Sequence, residues 1–149
     1  MTFISEGEVE TRALGRRMAS FLRPGDVLIL RGELGAGKTA FASGLAEGLG
    51  ISELVTSPSF VLVRRYVGGF IPLVHADVYR LSSLAEFEDL GAFEEAKDAV
   101  LAIEWGDAVG AGIPDDHLVV HIEVVDDSHR RIHLVPHGAW VERPLEELG

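Results

Sequence analysis

Between Arg31 and Phe41 the chain reads RGELGAGKTAF. An apolar run from Val27 to Leu30 ends in a glycine-rich turn, and helix-forming residues follow. Gly32 to Thr39 match G-x-x-x-x-G-K-[ST] without a mismatch, and no other stretch constrains the fold as strongly, because the motif requires a strand before it and a helix after it. Glycines let the backbone curl so that successive N–H groups point at phosphate oxygens, and the helix N-terminus adds its partial positive charge. Lys38, one of only two lysines in the chain, brings a point charge to the β- and γ-phosphates, and the Thr39 hydroxyl is a magnesium ligand. Gly35, Ala36, Gly37 and Ala40 complete the cradle through their backbone, while Glu33 and Leu34 shape the loop. The plainer alternative, a glycine-rich turn before a helix, leaves the lysine unexplained.

The flanking patterns say what the loop is embedded in. Ser5 and Glu8 form an S-x-x-E capping box, and Leu14, Met18, Phe21 and Leu22 follow at helical spacing, which predicts a helix running to Arg23 and stopped by Pro24-Gly25. VLIL suits a strand buried on both faces of a parallel sheet, and a helix should run from near Gly37 to Gly50. SFVLVRRYVGGFIPLVHAD alternates on both sides of Gly68-Gly69 and predicts a hairpin with a two-residue turn. Residues 81–98 predict two short helices broken at Gly91, AVLAIEW a further buried strand, and HLVVHIEVV with RIHLVPH a second hairpin. The expected fold is a single α/β domain over residues 1–149: a three-layer P-loop nucleotide-binding domain with a mixed, mostly parallel central sheet and β-hairpins.

Composition narrows the chemistry. No run of about 18 apolar residues occurs and the N-terminus lacks a basic-then-apolar leader, so no membrane role and a cytoplasmic location are expected. With no cysteine, any metal must be held by oxygen or imidazole, which favours magnesium. A formal charge of −11 argues against direct binding of a nucleic-acid backbone.

Phosphoryl chemistry on such a loop needs a second-strand acid for magnesium and a group that orients the nucleophile. Asp77 follows Leu73 to Ala76 and Glu104 follows Val100 to Ile103, so both stand at strand ends; the alternative for each is an acid facing solvent. The chain has no glutamine, so an amide cannot orient water, and no Asn-Lys-x-Asp element that would read guanine, which leaves ATP. His75, His117, His121, His133 and His137 invite a metal site. A spacing of four along a strand, however, separates side chains by about 13 Å, so solvated strand positions are expected instead. Trp105 reads equally as a packing residue or as part of the site. A small-molecule kinase, with Arg64, Arg65 and Arg80 as a lid, stays open as an alternative, as does a nucleotide-dependent binding module without catalysis.

Taken together, GELGAGKT, SPSF (Ser57 to Phe60), HADVYRL (His75 to Leu81), Leu90-Gly91 and IEW (Ile103 to Trp105) resemble the TsaE (YjeE) family, in order and across nearly the whole chain. The resemblance implies an ADP/ATP-binding, Mg²⁺-dependent ATPase required for threonylcarbamoyladenosine modification of tRNA. It implies hydrolysis that is weak alone, stimulated by the partners TsaD and TsaB, and used to reset their complex. tRNA would be reached only through that complex, and the chain would be a monomer on its own. Carried over, Lys38 and Thr39 match the phosphate and magnesium ligands, Asp77 the acid needed for hydrolysis, Glu104 the magnesium-side acid and Trp105 an aromatic important for activity. Ser57 and Ser59 match the switch-like loop, where Ser59 replaces the usual threonine. Thr11 and Arg130 match positions near the adenine end. Gly106 stands where proline often follows the tryptophan.

Overall fold

The computed structural model describes residues 1–33, 35–56, 63–77, 91–104 and 113–149. Among the described residues, seven strands form one sheet in the order β1-β7-β6-β2-β5-β4-β3, where β1 is Thr2–Ser5, β2 Val27–Arg31, β3 Val63–Tyr66, β4 Leu73–Asp77, β5 Val100–Glu104, β6 His117–Val124 and β7 Arg130–His137. Pairing is parallel for β4–β5, β5–β2 and β2–β6 and antiparallel for β3–β4, β6–β7 and β7–β1. Only β3 and β7 therefore run against the others, which agrees with the expected mixed, mostly parallel sheet.

β2 is buried on both faces because the sheet is covered on both. Leu28 and Leu30 pack with α1 (Glu8–Met18) and α2 (Lys38–Gly48), whereas Val27 and Ile29 join Val74, Ala76, Leu101 and Ile103 against Ala92 of the short α3 (Ala92–Glu95) and Ala96 just after it. The helix pair sits close because glycines line its contact. A Cβ on Gly44 would collide with the Arg12 carbonyl and one on Gly15 with the Phe41 carbonyl. The parallel strands β2, β4 and β5 all end on the same side of the sheet, where the glycine-rich loop begins.

Three expectations are corrected. Ser5 does not cap α1: Thr2–Ser5 form β1 on the edge of β7, Gly7 occupies the cap position, and the Ser5 hydroxyl bonds instead to Thr11 Oγ1 at 2.7 Å. Pairing with a distant strand outcompetes the local cap because it satisfies a run of backbone groups at once. The helix also ends earlier than expected, at Met18, and tightens into a 3₁₀ turn over Ala19–Phe21. The first hairpin closes between Tyr66 and Leu73 rather than at a two-residue turn. Its loop, residues 67–72, folds back on the end of α2, where Phe70 N–H donates to the Leu49 carbonyl at 2.7 Å, and Pro72 has no N–H to extend the ladder. The second hairpin forms as read, its turn held by Asp126 Oδ1, which accepts from the backbone N–H of Ser128 and His129. The helix expected over residues 81–90 lies outside the described residues.

Candidate functional site

β2 delivers the chain into the loop, and α2 starts at its far side on Gly37, which takes φ 116° as the cap residue. No side chain caps α2, so its first N–H groups stay directed at the cleft, as an anion site requires. Lys38, only 6% exposed, folds back under the loop and donates from Nζ to the carbonyls of Gly32 (2.6 Å) and Glu33 (3.1 Å). From β7, Arg130 Nε donates to the Ala36 carbonyl at 3.0 Å, while Nη1 holds the carbonyls of Asp126 and His129. The loop is thus tied to a hairpin turn remote from it in sequence.

Across from the helix start, the register of β4 against β5 sets Asp77 directly beside Glu104. Both are buried, and Thr39 Oγ1 donates to Glu104 Oε1 at 3.4 Å. Burial pushes the Glu104 carboxyl above the usual carboxylate range, Asp77 adds to the rise, and the Lys38 charge and the Thr39 hydroxyl oppose it. A desolvated pair of acids beside a hydroxyl is an unfavourable arrangement that a hard cation would relieve. The donors are all oxygen and suit magnesium. Among the described residues no group of three acids or histidines closes on a metal by itself.

The cleft, about 780 Å³, unites Thr11, Gly35, Ala36, Gly37, Lys38, Thr39, Ala40, Asp77, Glu104 and Arg130, all singled out in the sequence. Glu33 lies outside the lining and contributes its carbonyl to Lys38. Thr11 is 1% exposed with its hydroxyl bonded to Ser5, and its methyl lies next to Gly37. Leu34, Ser57, Ser59 and Trp105 lie outside the described residues.

Sequence reasoning missed Gly7, Glu8, Asp127 and Ser128 in the cleft lining; nothing local marks them, since the pairing of β1 with β7 brings the two segments together. It also misread His75, expected on a solvated strand. His75 is fully buried, with both ring nitrogens lacking a hydrogen-bond partner, and burial pushes its pKa down to about 4. Its position two residues before Asp77 puts it on the same face of β4, but nothing local says that this face is buried. The other four histidines singled out in the sequence do lie on the partly exposed hairpin, but they pair across strands: His117 stacks on His137 with ring centroids 4.4 Å apart, and His121 faces His133 at 5.8 Å.

Residues 5–132 match the family described as threonylcarbamoyl adenosine biosynthesis protein TsaE. The chain is similar to the tRNA threonylcarbamoyladenosine biosynthesis protein TsaE of Bacillus subtilis (strain 168), 42% identical over 140 residues, covering 93% of this chain and 87% of that one. It is also similar to the protein of the same name from Streptomyces coelicolor, 48% identical over 115 residues, covering 75% and 78%. Among solved structures it resembles that of YdiB from Bacillus subtilis, with a TM-score of 0.82 and 36% identity, over 99% of this chain and 93% of that one.

Proposed function

The chain belongs to the TsaE family, and from that premise we propose that it is a Mg²⁺-dependent ATPase serving threonylcarbamoyladenosine formation on tRNA, acting with TsaD and TsaB. The observation that carries this reading is the meeting of Lys38 Nζ, Thr39 Oγ1 and the Asp77–Glu104 pair around the uncapped start of α2. Each group has a task. The backbone N–H groups of the loop hold phosphate oxygens, and Lys38 exchanges the Gly32 and Glu33 carbonyls for the β- and γ-phosphates. Thr39 and Glu104 would hold magnesium, which would supply charge neutralisation at the phosphates. Asp77 accepts a hydrogen bond from the attacking water, whose oxygen bonds to the γ-phosphorus as the bond to the bridging oxygen breaks and ADP leaves.

Thr11 and Arg130 line the same cleft and would stand near the adenine end of the nucleotide. Ser57 and Ser59 would report the presence of the γ-phosphate to the partners, and Trp105 would adjoin Glu104. The net charge of −11 suits a subunit that docks on proteins and leaves tRNA to them. Among the described residues no helix is long and apolar enough to cross a membrane; we place the chain in the cytoplasm, as a monomer until it meets its partners.

The test is phosphate release from ATP by the purified chain alone and with TsaD and TsaB. Slow release that rises several-fold with both partners, and disappears with chelation of Mg²⁺, is expected. Release that requires a small-molecule acceptor would replace the ATPase with a kinase.

A further inference from the structure

β4 presents Leu73, His75 and Asp77 to the same face of the sheet, and β5 presents Val100, Ala102 and Glu104 beside them. His75 therefore lies one step behind the acid pair, inside the protein. Its Nε2 faces Glu104 Oε2 at 3.6 Å, while the other oxygen of the same carboxylate, Oε1, accepts from Thr39. Glu104 is 4% exposed and His75 0%, so neither can rely on bulk water. Among the described residues, His75 Nε2 is the polar group that the structure records facing Oε2, and it has no other partner.

We propose that His75 is a positioning residue for magnesium: by donating from Nε2 to Glu104 Oε2 it holds the carboxylate so that Oε1 is aimed at the ion beside Thr39. The inference rests on the nucleotide reading above. A carboxylate that binds a cation through one oxygen is oriented by what its other oxygen accepts. Closing the gap from 3.6 Å to hydrogen-bond length takes a movement of roughly half an ångström, within reach of a rotation of Glu104 as it leaves Thr39 for the ion. An imidazole with its proton on Nε2 carries the N–H that this role needs. It also explains a histidine where packing alone would select an apolar residue, since a buried donor without a partner costs stability.

The experiment measures affinity for a non-hydrolysable ATP analogue by calorimetry, in Mg²⁺ and in EDTA, together with the melting temperature of each protein. His75→Leu and His75→Phe remove the donor with slightly smaller and larger side chains, and His75→Gln keeps an N–H near the position of Nε2. Expected for Leu and Phe is a loss of at least fivefold in the affinity gained on adding Mg²⁺, with affinity in EDTA unchanged and the melting temperature unchanged or raised. His75→Gln should recover most of that gain. A full Mg²⁺ gain in either apolar variant overturns the inference, and so do equal losses with and without Mg²⁺ accompanied by a lower melting temperature, which mark a merely structural residue. If the wild-type chain binds the analogue no better with Mg²⁺, the nucleotide reading itself fails and this inference with it.

Discussion

The two halves of the sheet use the same residue types to opposite effect. In the parallel half, β2, β4 and β5 end together, so Asp77, Glu104 and the loop after Arg31 converge on one spot, with His75 sealed behind them. In the antiparallel half, β6 and β7 bring His117 to His137 and His121 to His133 in register, yet these rings line a partly exposed face where His133 and Arg131 share Glu123 as an acceptor. Parallel neighbours align like ends, so polar residues placed after each apolar run accumulate at one edge. Antiparallel neighbours align opposite ends and pair side chains along the whole ladder. A site with several acids and a cation therefore belongs at the carboxyl edge of the parallel strands, and histidines on the hairpin remain pairs.

The sharpest break of this comparison is at the loop. Lys38→Ala should lower ATP affinity at least a hundredfold, about 2.7 kcal/mol, by calorimetry; undiminished affinity would remove the parallel edge as the nucleotide site. Next comes the pH response of His75. With a folded pKa of about 4 against 6.5, the unfolded chain takes up a proton that the folded chain refuses, so stability is full above pH 6.5 and falls as the pH drops toward 4. The loss from this ring is about 3 kcal/mol. Urea denaturation at pH 7 and pH 4.5 should show a difference that shrinks in His75→Leu by most of that amount.

A smaller effect on binding, with a large one on turnover, is expected at the acids. Asp77→Ala and Glu104→Ala should bind ATP within roughly tenfold of wild type, about 1.4 kcal/mol, and lose partner-stimulated hydrolysis; normal hydrolysis by either would reassign that residue. The raised Glu104 pKa has the opposite sign from His75. The folded state holds this proton more tightly, so stability falls as pH rises from the ordinary carboxylate range through the folded pKa, and the buried carboxylate is a cost once it ionises. Glu104→Gln without magnesium should accordingly melt at the same temperature or higher. Smallest of all, His117→Ala and His137→Ala should change stability by no more than about 0.5 kcal/mol and leave ATP affinity unchanged, which would sharpen the contrast between the two halves.

The two halves also differ in how far they could be read in advance. Gly32, Glu33 and Gly35 to Thr39, the strand before them and the helix after them form as the motif requires, because a phosphate loop is a matter of local φ angles and one helix start. The second hairpin was legible for the same reason: period-2 alternation on either side of Asp126 to Arg130 is local information. His75 was not legible, since alternation assigns it to a face of β4 without saying that the face is buried. Nor was β1, whose short Thr2–Ser5 segment carries too little pattern to outweigh a capping signal. The length of the β3–β4 loop escaped as well, being set by where α2 ends and not by the Gly68-Gly69 pair.

What this chain's sequence determined alone is the chemistry on offer: a lysine behind three glycines, a hydroxyl beside it, two acids after apolar runs, and no thiol. Only the tertiary structure decided that Asp77 and Glu104 stand side by side, that Arg130 reaches the Ala36 carbonyl from across the molecule, and that His75 is closed in behind the acids. The physical reason is range. Loop curvature and strand alternation are written in neighbouring residues, whereas strand order, register and burial depend on which distant segments meet, and no spacing along one chain encodes that by itself.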